Sequence, residues 1–262
     1  MVKKNHIVVR LWSFLNRWSY GRAKTVITIG DAIGEKVRAQ MSREDRNKVC
    51  VIHNWADPSL EPAPKESNSF AREFEQVDKC TVLYAGNIGA GHGLDKLVDA
   101  AAHLEDDERV SFVIVGDGLG RPSVEARMRE LKVENVILVE RQPWERVSEV
   151  LATGDIAIVS QETGKELLSV PSKTYGALAA GSAIVALSTR ESDLGALVTS
   201  HGVGKVCPGD GEEIATAIRG YLDDPDELTE ARRRAREIAT SVFSERAAFE
   251  AFRERLEPFI GR

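Results

Sequence analysis

Little in this sequence could be oxidised, cross a bilayer or hold a metal. It has three cysteines, Cys50, Cys80 and Cys207, set far apart. No pair has the spacing of a metal site, and reduced, buried thiols in a cytoplasmic protein are expected. No apolar run approaches the ~18 residues that span a bilayer. The basic start has no uninterrupted apolar core and no small-residue cleavage site, so no signal peptide is read. There is no internal repeat and no low-complexity tract. Acid is missing altogether before Asp31, where Lys3, Lys4, Arg10, Arg17, Arg22 and Lys24 stand alone. The rest is acidic enough to bring the net charge to −6, which argues against a general nucleic-acid binder.

What is present reads as an ordinary soluble globular protein: 262 residues, 42% hydrophobic and 29% charged, with room for one large core or two small ones. Residues 1–24 predict an amphipathic basic helix. Ile7, Leu11, Phe14, Leu15 and Trp18 recur at helical spacing, and basic residues fill other positions. Such a helix lies either on an anionic membrane surface or against another domain or subunit. Thr25 to Ile29 is a β-branched run, Asp31 to Met41 a helix and Val49 to Ile52 a short strand. His53 to Pro58 follows, with Trp55 expected as a packing residue, and then a Pro/Ser/Glu-rich stretch that reads as a linker.

From Cys80 the pattern is regular. Strand-like runs fall near 80–85, 110–115, 136–139, 156–160, 183–187 and 203–206, with helical patterns between them. Leu94, Leu97, Val98, Ala101 and Leu104 share one helical face, and runs such as Phe112 to Val115 are apolar throughout, as buried parallel strands are. The expected fold is α/β: a Rossmann-like parallel sheet flanked by helices. Helical stripes, among them Phe249, Phe252, Leu256 and Phe259, close the chain.

Ligands of such sheets bind outside the carboxyl ends of the strands. Three loops there carry suitable chemistry. Gly86-Asn87-Ile88-Gly89-Ala90-Gly91-His92-Gly93 has glycines that let backbone N–H groups approach an anion, with Asn87 and His92 as side-chain donors. Gly116-Asp117-Gly118 is a tight turn, where Asp117 reads first as a turn former. Pro171-Ser172-Lys173 opens a small-residue helix, with Pro171 in its first turn and Ser172 and Lys173 among free backbone donors. Gly86, Asn87, Gly89, His92, Ser172 and Lys173 are therefore the candidates for a diphosphate. Gly116, Asp117, Gly118, Glu140, Arg141 and Thr174 are those for the nucleoside. Glu140 and Arg141 read equally well as a solvent-facing pair. No catalytic residue is assigned.

These residues resemble the retaining glycosyltransferases of family 4, with the GT-B fold, over about residues 22–250. The matching pieces are Val51 to Asp57, Leu83 to Gly89, Val115 to Gly118 and Val170 to Gly181. Bacterial surface-polysaccharide enzymes of the N-acetylfucosamine- and colanic-acid-transferase type are the most similar. The resemblance implies a nucleotide-sugar donor, UDP-linked, with no metal and no cofactor. It implies transfer with retention to a lipid-linked or polysaccharide acceptor, on the cytoplasmic side and peripheral to the inner face of the membrane. Residues 1–58 would be the remnant of an N-terminal acceptor domain and its hinge, 59–78 a linker, 79–243 the donor domain and 244–262 a C-terminal helix.

Departures accompany the likeness. Asn87 and His92 stand where many members carry Arg and Lys. Leu168 and Gly176 stand where many carry a glutamate pair, leaving Glu162 or Glu166 as substitutes for ribose recognition. The acceptor domain, on the order of 150–200 residues in a full enzyme, is represented only by its last elements. A donor half completed by a separate acceptor subunit is expected. The alternatives are a non-catalytic nucleotide-sugar-binding module and an inactive remnant.

Overall fold

The computed structural model describes residues 7–161 and 170–260. The expected ribose contacts Glu162 and Glu166, and Leu168, lie outside them. An N-terminal piece holds α1 (Ile7–Arg22), β1 (Val26–Thr28), α2 (Asp31–Arg38) and β2 (Val49–Val51), followed by α3 (Ser69–Glu73). Then come β3 (Cys80–Ala85), α4 (Leu94–Ala102), β4 (Val110–Val115), α5 (Arg121–Leu131), β5 (Val136–Val139), α6 (Val147–Thr153) and β6 (Ile156–Ser160). The chain ends with α7 (Lys173–Ala179), β7 (Ala183–Leu187), α8 (Asp193–His201), β8 (Gly204–Val206), α9 (Gly211–Asp223), α10 (Pro225–Thr240) and α11 (Glu245–Leu256).

The six strands from β3 form one parallel sheet in the order β5-β4-β3-β6-β7-β8. Register sets Val82 beside Phe112 on one flank and beside Ile156 on the other. Every residue of β4 and β6 is buried, which only strands covered by helices on both faces can be. One face packs Tyr84, Phe112 and Ile158 against α4 and α9, and the other packs Ile184 and Ala186 against α7, α8 and α10. The chain winds outward from β3 in one direction and from β6 in the other. The crevice between their carboxyl ends is the topological switch point where ligands of doubly wound sheets bind.

The stretch 59–78 is not a free linker. Phe70 is fully buried among Leu83, Val113 and Val150, Asn68 caps α3 through the N–H groups of Phe70 and Ala71, and Lys65 pairs with the buried Asp155 just before β6. Proline and serine set the bends there, but one aromatic side chain is enough to fasten the segment to the core. Helix α2 ends at Arg38, short of Met41. Cys207 is buried, whereas Cys50 and Cys80 are only half-buried; all three are free thiols.

The parallel pair β1 and β2 is tied to the C-terminus. Arg255 of α11 donates to Thr25 Oγ1 at 2.6 Å and to the Lys48 carbonyl at 2.7 Å. The Asp193 carboxylate of α8 accepts from the Ala32 N–H at 2.8 Å, at the start of α2. Helix α1 buries none of its residues; Trp12 is 66% and Trp18 55% exposed. No helix among the described residues is long and apolar enough to cross a membrane.

Candidate functional site

The loops that leave β3 and β4 are pressed backbone to backbone. Gly86 donates to the Val115 carbonyl at 2.9 Å, Ile88 to that of Asp117 at 2.8 Å, and Gly120 to that of Ile88 at 2.8 Å. Gly116 has φ of +147°, and a Cβ there would lie 1.9 Å from the Gly86 carbonyl oxygen. Only glycine meets both demands. The side chain of Ile88 is fully buried and pins the first loop from below. Arg121 holds the second loop by donating to the Gly116 carbonyl at 2.9 Å. The glycines of both loops thus serve loop packing before they serve an anion.

Two hollows open at this edge and share Ala85, Gly86, Asn87, Trp144, Lys173 and Gly176. The larger, about 770 Å³, runs from Lys173 past Gly116 and Asp117 to Arg141, Gln142, Pro143 and Trp144. Its floor is apolar, with Val115, Val147, Val150 and Leu151. The smaller, about 430 Å³, adds Trp55, Asp57, His92, Ser172 and Tyr175. An apolar slot that leads to a cation between two backbone loops has the shape and polarity of a site for a nucleoside with a phosphate tail.

Lys173 marks the junction. Its ammonium donates to the Tyr84 hydroxyl at 2.6 Å and lies 3.9 Å from the centre of that ring. Burial lowers its pKa from the ordinary lysine value to about 8. Burial likewise pushes the Tyr84 phenol up to about 12, so it stays protonated. Tyr84 donates to the Asn87 carbonyl at 2.6 Å, and its oxygen lies 3.0 Å from His92 Nδ1.

The expected diphosphate residues are brought together only in part. Gly86, Asn87 and Lys173 line both hollows, and His92 and Ser172 line the smaller. Gly89 lines neither; a Cβ on it would sit 2.9 Å from His92 Nε2, so it makes room for that ring. Helix α7 starts at Lys173, one residue after Ser172, which leaves Pro171 outside the helix. The N–H groups of Thr174 and Tyr175, next along the helix, are taken by the carbonyls of Pro171 and Ser172. The side-chain ammonium, more than the helix end, carries the positive charge here.

On the nucleoside side Gly116, Asp117 and Arg141 line the larger hollow. Asp117 accepts from the Gly118 N–H at 2.7 Å, the turn-forming role. Gly118 packs on Ile88 and lines neither hollow. Glu140 stands outside too; its carbonyl accepts from Gln142. Thr174 is fully buried in the core and lines neither. Trp55 packs against Phe249 with the rings tilted and their centres 5.5 Å apart, besides edging the smaller hollow. Among the described residues, no cluster of His, Cys, Asp or Glu could hold a metal.

The family model of the group 1 glycosyl transferases matches residues 65–241. This chain belongs to that family. This chain is 28% identical over 209 residues to "Probable glycosyltransferase WbjE" of Pseudomonas aeruginosa, covering 79% of this chain and 52% of that protein. It is 31% identical over 189 residues to "Putative colanic acid biosynthesis glycosyl transferase WcaI" of Escherichia coli (strain K12), covering 70% of this chain and 46% of that protein. The chain spans about half the length of these curated relatives. HepE of Anabaena, solved in complex with UDP-glucose, superposes with a TM-score of 0.75 at 19% identity, over 90% of this chain and 64% of that one. The fold is that of the GT-B glycosyltransferases.

Tyr84, Gln142, Pro143, Trp144 and Arg121 are not among the residues that the sequence alone assigns to the site. Tyr84 left a signal: a phenol in an otherwise apolar strand, two residues before a glycine turn, must find a partner at the sheet edge. Trp144 left one as well. It sits after a proline in a polar loop and stays 75% exposed, with no core reason to be aromatic.

Proposed function

We propose that this chain is the donor-binding half of a retaining glycosyltransferase of family 4. The observation that carries the reading is the Lys173 ammonium at the mouth of the apolar hollow, at the switch point of the sheet. The donor is a UDP-sugar. Its uracil occupies the slot beside Arg141, Gln142, Pro143 and Trp144, and its diphosphate meets Lys173, Asn87, His92 and Ser172. The binding of UDP-glucose and UDP by HepE, which shares the fold, supports this choice of base.

Cleavage of the sugar C1–O bond leaves charge on the diphosphate. An ammonium already placed in a poorly solvated pocket stabilises that charge without reorganisation. One cation and a set of neutral donors suffice, and the reading requires neither metal nor cofactor. The name of WcaI, and the surface-polysaccharide likeness of the motifs, support a lipid-linked or polysaccharide acceptor on the cytoplasmic face. An N-acetylhexosamine such as N-acetylfucosamine fits the same likeness. The acceptor groups come from a domain outside these residues, on the same chain or on a separate subunit.

Helix α1 serves that assembly at an anionic membrane surface, where exposed Leu11, Phe14 and Trp18 insert and Arg10 and Arg17 meet headgroups. Co-sedimentation with anionic vesicles, absent with neutral ones, is the expected result; equal pelleting with both would sink it.

The donor reading is tested by calorimetric titration of the chain with UDP and GDP in EDTA. Saturable binding of UDP is expected. Trp144→Ala is expected to weaken it by about tenfold, as loss of one base-stacking aromatic does. Binding with no preference for UDP, or indifference to Trp144→Ala, would refute the placement of the base.

A further inference from the structure

A buried phenol can take three hydrogen bonds, one as donor and two as acceptor. Three groups lie within 3.0 Å of the Tyr84 hydroxyl, and Ser160 of β6 is a further hydrogen-bonding neighbour. The carbonyl of Asn87 can only accept, so the phenol proton is directed there, at 2.6 Å. The Lys173 ammonium can only donate, so it occupies one lone pair, also at 2.6 Å. What remains for His92 Nδ1, at 3.0 Å, is the second lone pair. With the phenol proton on the Asn87 carbonyl, Nδ1 is the donor of this contact. The side chain that fixes these relations is fully buried behind the hollows and lines neither, whereas Asn87 is exposed and lines both.

We infer that Tyr84 is the positioning residue of the donor site: its one hydroxyl sets the place of the Lys173 ammonium and the protonated nitrogen of the His92 ring. The inference rests on the donor reading above. Removal of the hydroxyl leaves a largely buried ammonium without its only acceptor among the described residues, so its charged form becomes costlier to hold. The other titratable or charged side chains around the ammonium are Asp57 and His92 in the smaller hollow and Asp117 and Arg141 in the larger. Arg236 of α10 meets the far end of α7, at the Ala179 carbonyl. Among the described residues no carboxylate pairs with Lys173, so Tyr84 is the group that decides how far its charge survives as pH rises.

The test is the pH dependence of UDP binding between about pH 7 and about pH 9.5, read by calorimetry in the wild type, Lys173→Arg and Tyr84→Phe. Wild-type affinity is expected to fall as pH passes about 8. The fall disappears in Lys173→Arg, whose guanidinium stays charged. In Tyr84→Phe the midpoint moves down by about one unit, and affinity at neutral pH drops about tenfold. A wild type that binds UDP through Lys173, with Tyr84→Phe keeping the same midpoint, overturns the inference and leaves the donor reading standing. A wild type that binds no UDP overturns the donor reading, and the inference goes with it. Should Tyr84→Phe not fold, nitrogen NMR of the wild type decides: His92 Nδ1 is expected protonated, and a bare Nδ1 overturns the assignment.

Discussion

Lys173→Met is expected to weaken UDP binding by about ten- to a hundredfold while making the protein more stable at neutral pH. The binding loss follows from removing the one ammonium among the diphosphate candidates, with charge-assisted hydrogen bonds of about 1.5–3 kcal/mol. The gain in stability follows from the same burial. Lys173 has a native pKa of about 8 against an ordinary 10.5. Below pH 8 both the folded and unfolded chains carry the proton, and the folded state bears the full cost of the desolvated charge. Between about 8 and 10.5 the unfolded chain binds more protons, so wild-type stability rises with pH across that window. Methionine keeps much of the volume without the charge. The variant should therefore exceed the wild type by roughly 2 kcal/mol at pH 7, and the gap should close towards pH 10.5. Urea unfolding at two pH values, beside a UDP titration, reads both effects. A variant less stable than the wild type at pH 7 would mean that the ammonium is a structural support.

Gly116→Ala has the other large effect, and it acts on the scaffold. Its Cβ would lie 1.9 Å from the Gly86 carbonyl oxygen, a backbone atom with no side-chain freedom to give way, at a φ of +147°. A loss of about 3 kcal/mol or more is expected, with UDP binding lost even where the fold survives, because the first loop is displaced. Gly176→Ala is the contrasting case. It lies inside α7, and its Cβ would meet Leu151 Cδ1 at 3.3 Å, the far end of a flexible side chain. Helix propensity favours alanine there by about 0.8–1.0 kcal/mol, so stability should hold or rise. Chemical denaturation of the two variants compares them directly; equal losses would contradict the loop-packing account.

The sheet was legible because parallel strands buried on both faces have to be apolar throughout, and Phe112 to Val115 and Ile156 to Val159 are. Its carboxyl edge was legible as a site because three loops with glycine or Pro-Ser-Lys leave the strands there. Lys173 was placed by that logic, although the helix it opens is too short and too internally bonded for its end to dominate. The segment 59–78 was misread because composition reports bends and not attachment; a single buried Phe70 converts a linker into part of the core. Gly118, Gly89 and Thr174 were assigned to ligand by their company in the sequence, yet they serve the neighbouring backbone, the His92 ring and the core. Loop glycines do not announce whether they make room for a phosphate or for another loop. Trp144 and Tyr84 escaped because their roles depend on what lies across the hollow, which spacing along the chain does not encode.

The most direct measurement is a crystal structure of this chain soaked or grown with a UDP-sugar in the absence of divalent metal. The account predicts the diphosphate within hydrogen-bonding reach of Lys173 Nζ, between the 86–93 and 116–118 loops, and the uracil against Arg141 and Trp144. A nucleotide seated elsewhere, or one held in this hollow with its phosphates turned away from Lys173, would contradict it.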